Sequence, residues 1–185
     1  GLEGSDLPIA FAPFGTANVL AQELKVPKDP RQLASMIKDG PIIQVHMGKV
    51  NGRLFLLMAG VGLDAEVCDN VKRNLKVRFR QIAYIGVTIK RWFKSRKRQY
   101  RVTIDGNTYS SASVVVSNGV HYGGPFVFAP DAKLTSPELH VCLFRTAGRF
   151  AEVRYMVGML LGLLAKMKDF DIIPAQCVNI DAAGS

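Results

Sequence analysis

The period of the apolar positions changes along this chain. Leu7 to Phe14 is almost continuously apolar and reads as a buried strand. Ala17 to Leu24 reads as an amphipathic helix. Val26-Pro27-Lys28-Asp29-Pro30 is a break, and Asp29 followed by Pro30 supplies the cap and first position of a helix from Arg31 to Lys38. Gly40-Pro41 ends it. Beyond Pro41 the period falls to two, with Ile43, Val45 and Met47 alternating with Gln44, His46 and Gly48. Asn51-Gly52 marks a tight hairpin turn, and Leu54 to Ala59 is the return strand. Asp64 to Val71 reads as a short helix. Val77 to Lys94 reads as a longer one, with Phe79, Ile82, Ile85, Ile89 and Trp92 as its apolar stripe. A second hairpin runs from Tyr100 to Ile104, through Asp105-Gly106-Asn107, and back along Tyr109 to Val116. Phe126 to Ala129 and Leu139 to Phe144 are strands, and Phe150 to Met167 is a helix. Phe170 to Ile173 and Gln176 to Ile180 are the last strands.

Many short, hairpin-linked strands with a few helices predict an α+β chain. Its natural boundary lies at Gly40-Pro41. Residues 41–185 then form a β-sandwich-like domain with added helices. The length of 185 residues and the 48% hydrophobic content suit a packed core, and 21% charged residues argue against disorder. The longest apolar run, Tyr155 to Ala165, is too short for a bilayer span of ~20 residues. Cys68, Cys142 and Cys177 lack any CxxC spacing, which supports neither a zinc site nor a disulfide framework. They read as buried thiols in a reducing cytoplasm. His46 and His140 read as surface or packing residues, and no Ser-His-Asp or metal-binding array is present in the sequence pattern.

Charge adds one feature. The net charge is +9, and half of the 24 basic residues fall between Lys72 and Arg101, where no acid occurs. One reading packs the apolar stripe on the sandwich and leaves the bases solvated. The other is an interfacial face, with Trp92 and Phe93 dipping into lipid and Arg96, Lys97 and Arg98 reaching phosphates.

Four blocks are candidates for chemistry. Pro13-Phe14-Gly15-Thr16-Ala17-Asn18 joins a strand to a helix. A helix N-terminus offers free N–H groups to an anion, Gly15 permits close approach, and Thr16 or Asn18 can cap the first turn. Gly15, Thr16 and Asn18 are therefore a candidate phosphate cradle; the alternative is an ordinary capped helix. In Ala59-Gly60-Val61-Gly62-Leu63-Asp64-Ala65-Glu66-Val67, the glycines allow a sharp turn, and Asp64 and Glu66 begin a helix, where acidic capping is the bland alternative. Ser117-Asn118-Gly119-Val120-His121-Tyr122-Gly123-Gly124 ends a buried strand, and a structural turn is its bland reading. Ala129-Pro130-Asp131-Ala132 follows.

These blocks, in this order, resemble the diacylglycerol kinase catalytic family, which includes bacterial lipid kinases and sphingosine kinases. The resemblance runs from about Leu7 to Ile180. It implies that residues 1–40 are the last strand and helices of an α/β nucleotide domain and that residues 41–185 are the lipid-binding domain. It implies transfer of the γ-phosphoryl of ATP, with Mg²⁺, to a lipid hydroxyl. Asp64 and Glu66 would lie near the mouth between domains and help hold the lipid head group. Asn118 and Tyr122 would line the cleft. Leu63 stands where the family has Phe, and Pro125 where it has a third Gly. Thr135-Ser136-Pro137 replaces its Asp-Asp-Gly, so no carboxylate role is assigned there. The family's Gly-Gly-Asp-Gly-Thr loop and its C-terminal Asp-Gly-Glu segment do not occur in these residues. The chain then reads as an internal fragment, inactive alone, with no certain catalytic residue of its own. Its expected partners are a lipid substrate and an anionic membrane surface, not nucleic acid, with a homodimer left open. The expected location is cytoplasmic and peripheral at the membrane. The competing reading is a non-enzymatic binder of anionic surfaces, membrane or nucleic acid, built on the basic segment.

Overall fold

The computed structural model describes residues 5–15, 17–62 and 99–182. Three α-helices are described: α1 (Val19–Glu23), α2 (Pro30–Asp39) and α3 (Arg149–Leu160). The strands are β1 (Gly48–Val50), β2 (Arg53–Phe55), β3 (Met58–Val61), β4 (Tyr100–Ile104), β5 (Asn107–Ser111), β6 (Ser113–Ser117), β7 (His121–Tyr122), β8 (Phe126–Val127), β9 (Leu139–Phe144), β10 (Phe170–Ala175) and β11 (Val178–Ala182).

Two antiparallel sheets face each other. One has four strands in the order β10-β9-β6-β3, the other three in the order β11-β4-β5. Val114, Val116, Val141, Leu143 and Ala175 of the first meet Tyr100, Val102 and Ile104 of the second. The other face of the four-stranded sheet carries Val115, Cys142 and Phe170. These pack with Phe128, Ala151, Tyr155 and Leu164 beneath α3. Covered on both faces, β6 is Ser-Val-Val-Val-Ser with every residue buried, so its apolar run is continuous. Phe144 sits at the centre of the helix-side layer, its ring 4.9 Å from those of Tyr155 and Phe170 in edge-on contacts. This is the sandwich with added helices that the pattern predicts.

Local chemistry explains several boundaries. The Asp29 carboxylate accepts from the N–H groups of Arg31 and Gln32, both at 3.0 Å, and Pro30 opens α2 as expected. Asn51 (φ 48°) and Gly52 (φ 79°) form the two-residue turn between β1 and β2. Asp105 (φ 45°) and Gly106 (φ 90°) do the same between β4 and β5. Tyr155 anchors α3, its hydroxyl 2.6 Å from Asp169 Oδ2 while accepting from the Thr146 N–H at 3.1 Å.

Other expectations are corrected. Leu7 to Phe14 is not a strand; Leu7, Ile9 and Phe14 are 67%, 69% and 89% exposed. A strand needs a ladder partner, and among the described residues none pairs with this segment. Residues 41–47 likewise form no strand, and pairing begins at Gly48. The expected strand from Leu54 to Ala59 divides at residues 56–57 into β2 and β3, which pair with different partners. Tyr109 to Val116 divides at Ala112, where the chain passes from one sheet to the other. There the Ser111 hydroxyl reaches the carbonyls of Ser113 (2.7 Å) and Phe144 (2.9 Å). The helix expected to reach Met167 stops at Leu160. Gly162 (φ 67°) turns left-handed, its N–H reaches the Met159 carbonyl, and the Leu163 N–H reaches that of Gly158 at 2.7 Å. Cys142 is buried, but Cys177 is exposed. The two helices expected between Asp64 and Lys94 lie outside the described residues.

Candidate functional site

The chain through Gly15 to Asn18 is a turn held by its own asparagine. The Asn18 side-chain N–H₂ donates to the carbonyls of Pro13 and Gly15, both at 2.8 Å. Asn18 itself is left-handed (φ 46°, ψ 44°), a conformation that asparagine tolerates. It does not cap α1 with its side chain, contrary to expectation, because that side chain is committed backwards to the turn. At Gly15 an added Cβ would lie 2.7 Å from Asn18 Oδ1 and press on the side chain that holds the turn. The helix that follows has only five residues, so any pull on an anion comes from local N–H groups more than from summed peptide dipoles. Thr16 lies outside the described residues.

The far end of α1 is tied to the second block. Glu23 Oε1 accepts from the His121 backbone N–H at 2.5 Å and faces His121 Nδ1 at 2.8 Å. A carboxylate only accepts, so the facing ring nitrogen carries the proton. The Glu23 side chain is 5% exposed. Gly119 lies against it: a Cβ there would sit 3.0 Å from both Glu23 Cδ and Oε1. The Asn18 turn and the Asn118-Gly119 block are thereby held at the two ends of one short helix.

Within that block Asn118 is 1% exposed. Its side-chain N–H₂ donates to the carbonyls of His46 (2.7 Å) and Leu56 (2.8 Å), and its backbone N–H donates to Leu57. It therefore fastens both arms of the β1–β2 hairpin to the end of β6. Tyr122 is half-buried, its ring centroid 5.1 Å from that of Phe128. The Val120 carbonyl accepts from both Phe128 and Ala129, which brings in the Ala129-Pro130-Asp131-Ala132 block. Of the two histidines expected at surface or packing positions, His140 is buried in the sheet, and His46 is half-buried and held through its backbone.

Three of the four blocks thus converge. The fourth does not join them within the described residues. β3 runs antiparallel to β6, with Met58 opposite Ser117 and Val61 opposite Val114. Gly62 consequently leaves the sheet ~10 Å or more along the strand from the Asn118 end. Gly62 (φ 96°) packs where a Cβ would meet Ser113 Oγ at 3.1 Å and the Tyr100 ring at 3.2 Å. Asp64, Glu66, Trp92, Phe93, Arg96, Lys97 and Arg98 lie outside the described residues. Among the described residues no three acids, histidines or cysteines gather where a metal ion could be held. No described helix is long and apolar enough to cross a membrane.

Glu23 and His121 escape a reading of the sequence. The available signal was faint: Glu23 has no cation three or four residues away to answer it on its own helix.

Comparison with known proteins places the chain in a family. Residues 58–185 match the YegS C-terminal NAD kinase beta sandwich-like domain, and residues 1–50 match the diacylglycerol kinase catalytic domain. Two Staphylococcus aureus proteins, from strains MSSA476 and MW2, each named "Putative lipid kinase", are 27% identical over 140 residues. That covers 75% of this chain and 46% of theirs. A Bacillus anthracis strain Sterne crystal structure titled "a putative diacylglycerol kinase" superposes with a TM-score of 0.69 at 25% identity, over 91% of this chain and 55% of that one. A second from the same strain, titled as diacylglycerol kinases, gives 0.66 at 27% identity with the same coverage. The chain spans about half the length of the relatives it matches.

Proposed function

We propose that this chain, which belongs to the diacylglycerol kinase family with a YegS-type C-terminal domain, serves an enzyme that transfers the γ-phosphoryl group of ATP to a lipid hydroxyl. The observation that carries the reading is the Glu23–His121 clamp. It fixes the far end of the helix that begins at the glycine turn against a block suited to a cleft wall.

In this reading residues 1–40 belong to the nucleotide side and residues 41–185 to the lipid side. Gly15, Thr16 and Asn18 face the phosphates, offering N–H donors where negative charge gathers during transfer. What supports an anion here is a tight turn, closed by the Asn18 amide, in which a Cβ at Gly15 would press on Asn18 Oδ1. Asp64, Glu66 and Tyr122 serve the lipid side, and Asn118 shapes it through the hairpin that it holds. The described residues form no Mg²⁺ site by themselves. Residues 1–185 contain no Gly-Gly-Asp-Gly-Thr string, so we expect no turnover from them alone. The basic segment 72–101, with Trp92, Phe93, Arg96, Lys97 and Arg98, would meet anionic lipid. A homodimer is compatible with this reading and is not required by it.

The test uses the full-length protein with labelled ATP and a panel of diacylglycerol, phosphatidylglycerol-like lipids and sphingoid bases. Phosphorylation of one class is expected, and transfer to none of them would overturn the reading. Asn18→Leu loses both turn hydrogen bonds and places leucine in a left-handed conformation that costs it ~1–2 kcal/mol. It should raise KM for ATP about tenfold or abolish turnover, while the sandwich unfolds as before. Unchanged kinetics would remove Asn18 from the nucleotide site.

A further inference from the structure

Along α3, Phe150, Val153, Val157 and Leu161 recur at a helical spacing that forms one stripe. Ala151 and Tyr155 face away from the stripe, toward the core. Phe150 is 93% exposed, Leu161 65%, Leu163 45% and Val157 43%. With Gly158 and Met167, these side chains line an open groove of about 450 Å³ whose surface is apolar almost throughout. Arg154 is the one charged residue in its lining.

The rim is mainly basic. Outside residues 72–101 the chain has more acids than bases, 15 against 12, yet residues 145–171 carry five bases against three acids, Glu152, Asp169 and Asp171. Arg149 and Arg154 flank the stripe on α3, and Lys166 and Lys168 follow the groove's far end, both exposed. Arg154 is paired with Asp169 and Arg145 with Asp171, which leaves Lys166 and Lys168 as the exposed lysines of the rim.

We propose that this groove and its basic rim dock the protein on an anionic bilayer surface. Phe150 and Leu161 would enter the acyl boundary, and the rim would lie at the phosphates. Charge selects this occupant. A two-fold contact between copies would set the same patch against itself and press a cationic rim onto a cationic rim. The proposal takes from the kinase reading only that the substrate lies in a membrane. It concerns a surface different from the basic segment 72–101.

Vesicle sedimentation without ATP tests it, so that failure here is separable from failure of the kinase reading. The full-length protein is compared on phosphatidylglycerol-containing and pure phosphatidylcholine vesicles, at low and high salt. Phe150→Ser/Leu161→Ser should weaken anionic-vesicle binding about tenfold, with thermal unfolding unchanged because both side chains are exposed. Lys166→Gln/Lys168→Gln should weaken it and flatten its salt dependence. A control, Val50→Ser, removes exposed apolar surface on the β1–β2 hairpin and should leave binding intact. Wild-type binding by Phe150→Ser/Leu161→Ser, equal loss in the control, or wild-type binding that ignores vesicle charge would each overturn the proposal. So would loss of self-association in the groove variant with vesicle binding undiminished, which would assign the face to a second copy.

Discussion

The Glu23–Gly119 contact allows a prediction in which the sign of a mutation reverses. Gly119 is buried and does not require a left-handed backbone, so alanine is conformationally allowed there. The obstacle is the Glu23 carboxyl group, 3.0 Å from the new Cβ. A free side chain would swing aside. This one accepts from His121 at 2.5 Å and 2.8 Å, so a shift of a few tenths of an ångström stretches both bonds. Gly119→Ala alone should then cost ~1–2 kcal/mol, the usual scale of overpacking. Glu23→Ala alone should cost ~2–3 kcal/mol, since it removes two hydrogen bonds to a charged acceptor and leaves the His121 N–H without one. In the Glu23→Ala background the obstacle is gone. Gly119→Ala should there be neutral, or stabilising by ~0.4–1 kcal/mol through the unfolded chain. The coupling is therefore about 2 kcal/mol. Urea unfolding of the four proteins measures it. Hydrogen exchange of the His121 amide reports the local opening, because α1 can detach before the sandwich unfolds. Additivity within ~0.5 kcal/mol, or a His121 amide equally protected in Glu23→Ala, would refute the clamp.

Two other outcomes follow from buried polar groups. Asn118→Leu should lower stability by ~2–4 kcal/mol, because it strands the carbonyls of His46 and Leu56 in a site that is 1% exposed. Denaturant unfolding checks this, and a cost below ~1 kcal/mol would show that the hairpin does not depend on the side chain. At Asp169, burial alone would raise the carboxyl. Hydrogen bonds from Tyr155 and Thr146 and the Arg154 charge outweigh it and hold the group below its ordinary value. Its stabilisation is complete above the ordinary carboxylate range and is lost as pH falls through the lowered value. Asp169→Asn should therefore flatten the acid side of the stability–pH curve, measured by urea midpoints from neutral pH downward; an unchanged slope would exclude it.

What could be read from the sequence was local. Asp29-Pro30, Asn51-Gly52 and Asp105-Gly106 each carry their backbone geometry in the residues themselves, and each forms the cap or turn expected. Leu139 to Phe144 is legible as a strand because Glu138 and Arg145 bound a short apolar run whose centre is buried throughout. Leu7 to Phe14 has the composition of a buried strand, but a strand exists only with a neighbour to complete its ladder. Tyr109 to Val116 keeps its apolar character across the corner at Ala112, because each half faces a core of its own. Composition therefore hides the point where the chain changes sheets. At the end of α3 the apolar run continues to Ala165. The stop is written in Gly162 alone, a residue the run makes easy to overlook.

The site shows the same division more sharply. Gly15 and Asn18 are three residues apart, and their turn is visible from composition. Glu23 and His121 are 98 positions apart, and no period or spacing connects them. The order of the four blocks identifies the family without saying which blocks touch. Antiparallel pairing of β3 with β6 decides that, because it sends the strand bearing Gly60 and Gly62 away from the end where Asn118 sits. A buried carboxylate then does what proximity in sequence cannot. It accepts one N–H from the backbone of the cleft block and faces a ring nitrogen from the same residue, which fixes both the distance and the rotation of α1 against it. The phosphate-type turn at the other end of α1 is a single helix length from that anchor, so an error in the clamp is carried to the turn with little room for absorption. Kinetic effects of Glu23 variants on nucleotide binding should therefore follow their effects on His121 protection. A variant that loosens the amide and leaves KM for ATP untouched would separate the two ends of the helix and break the connection drawn between them.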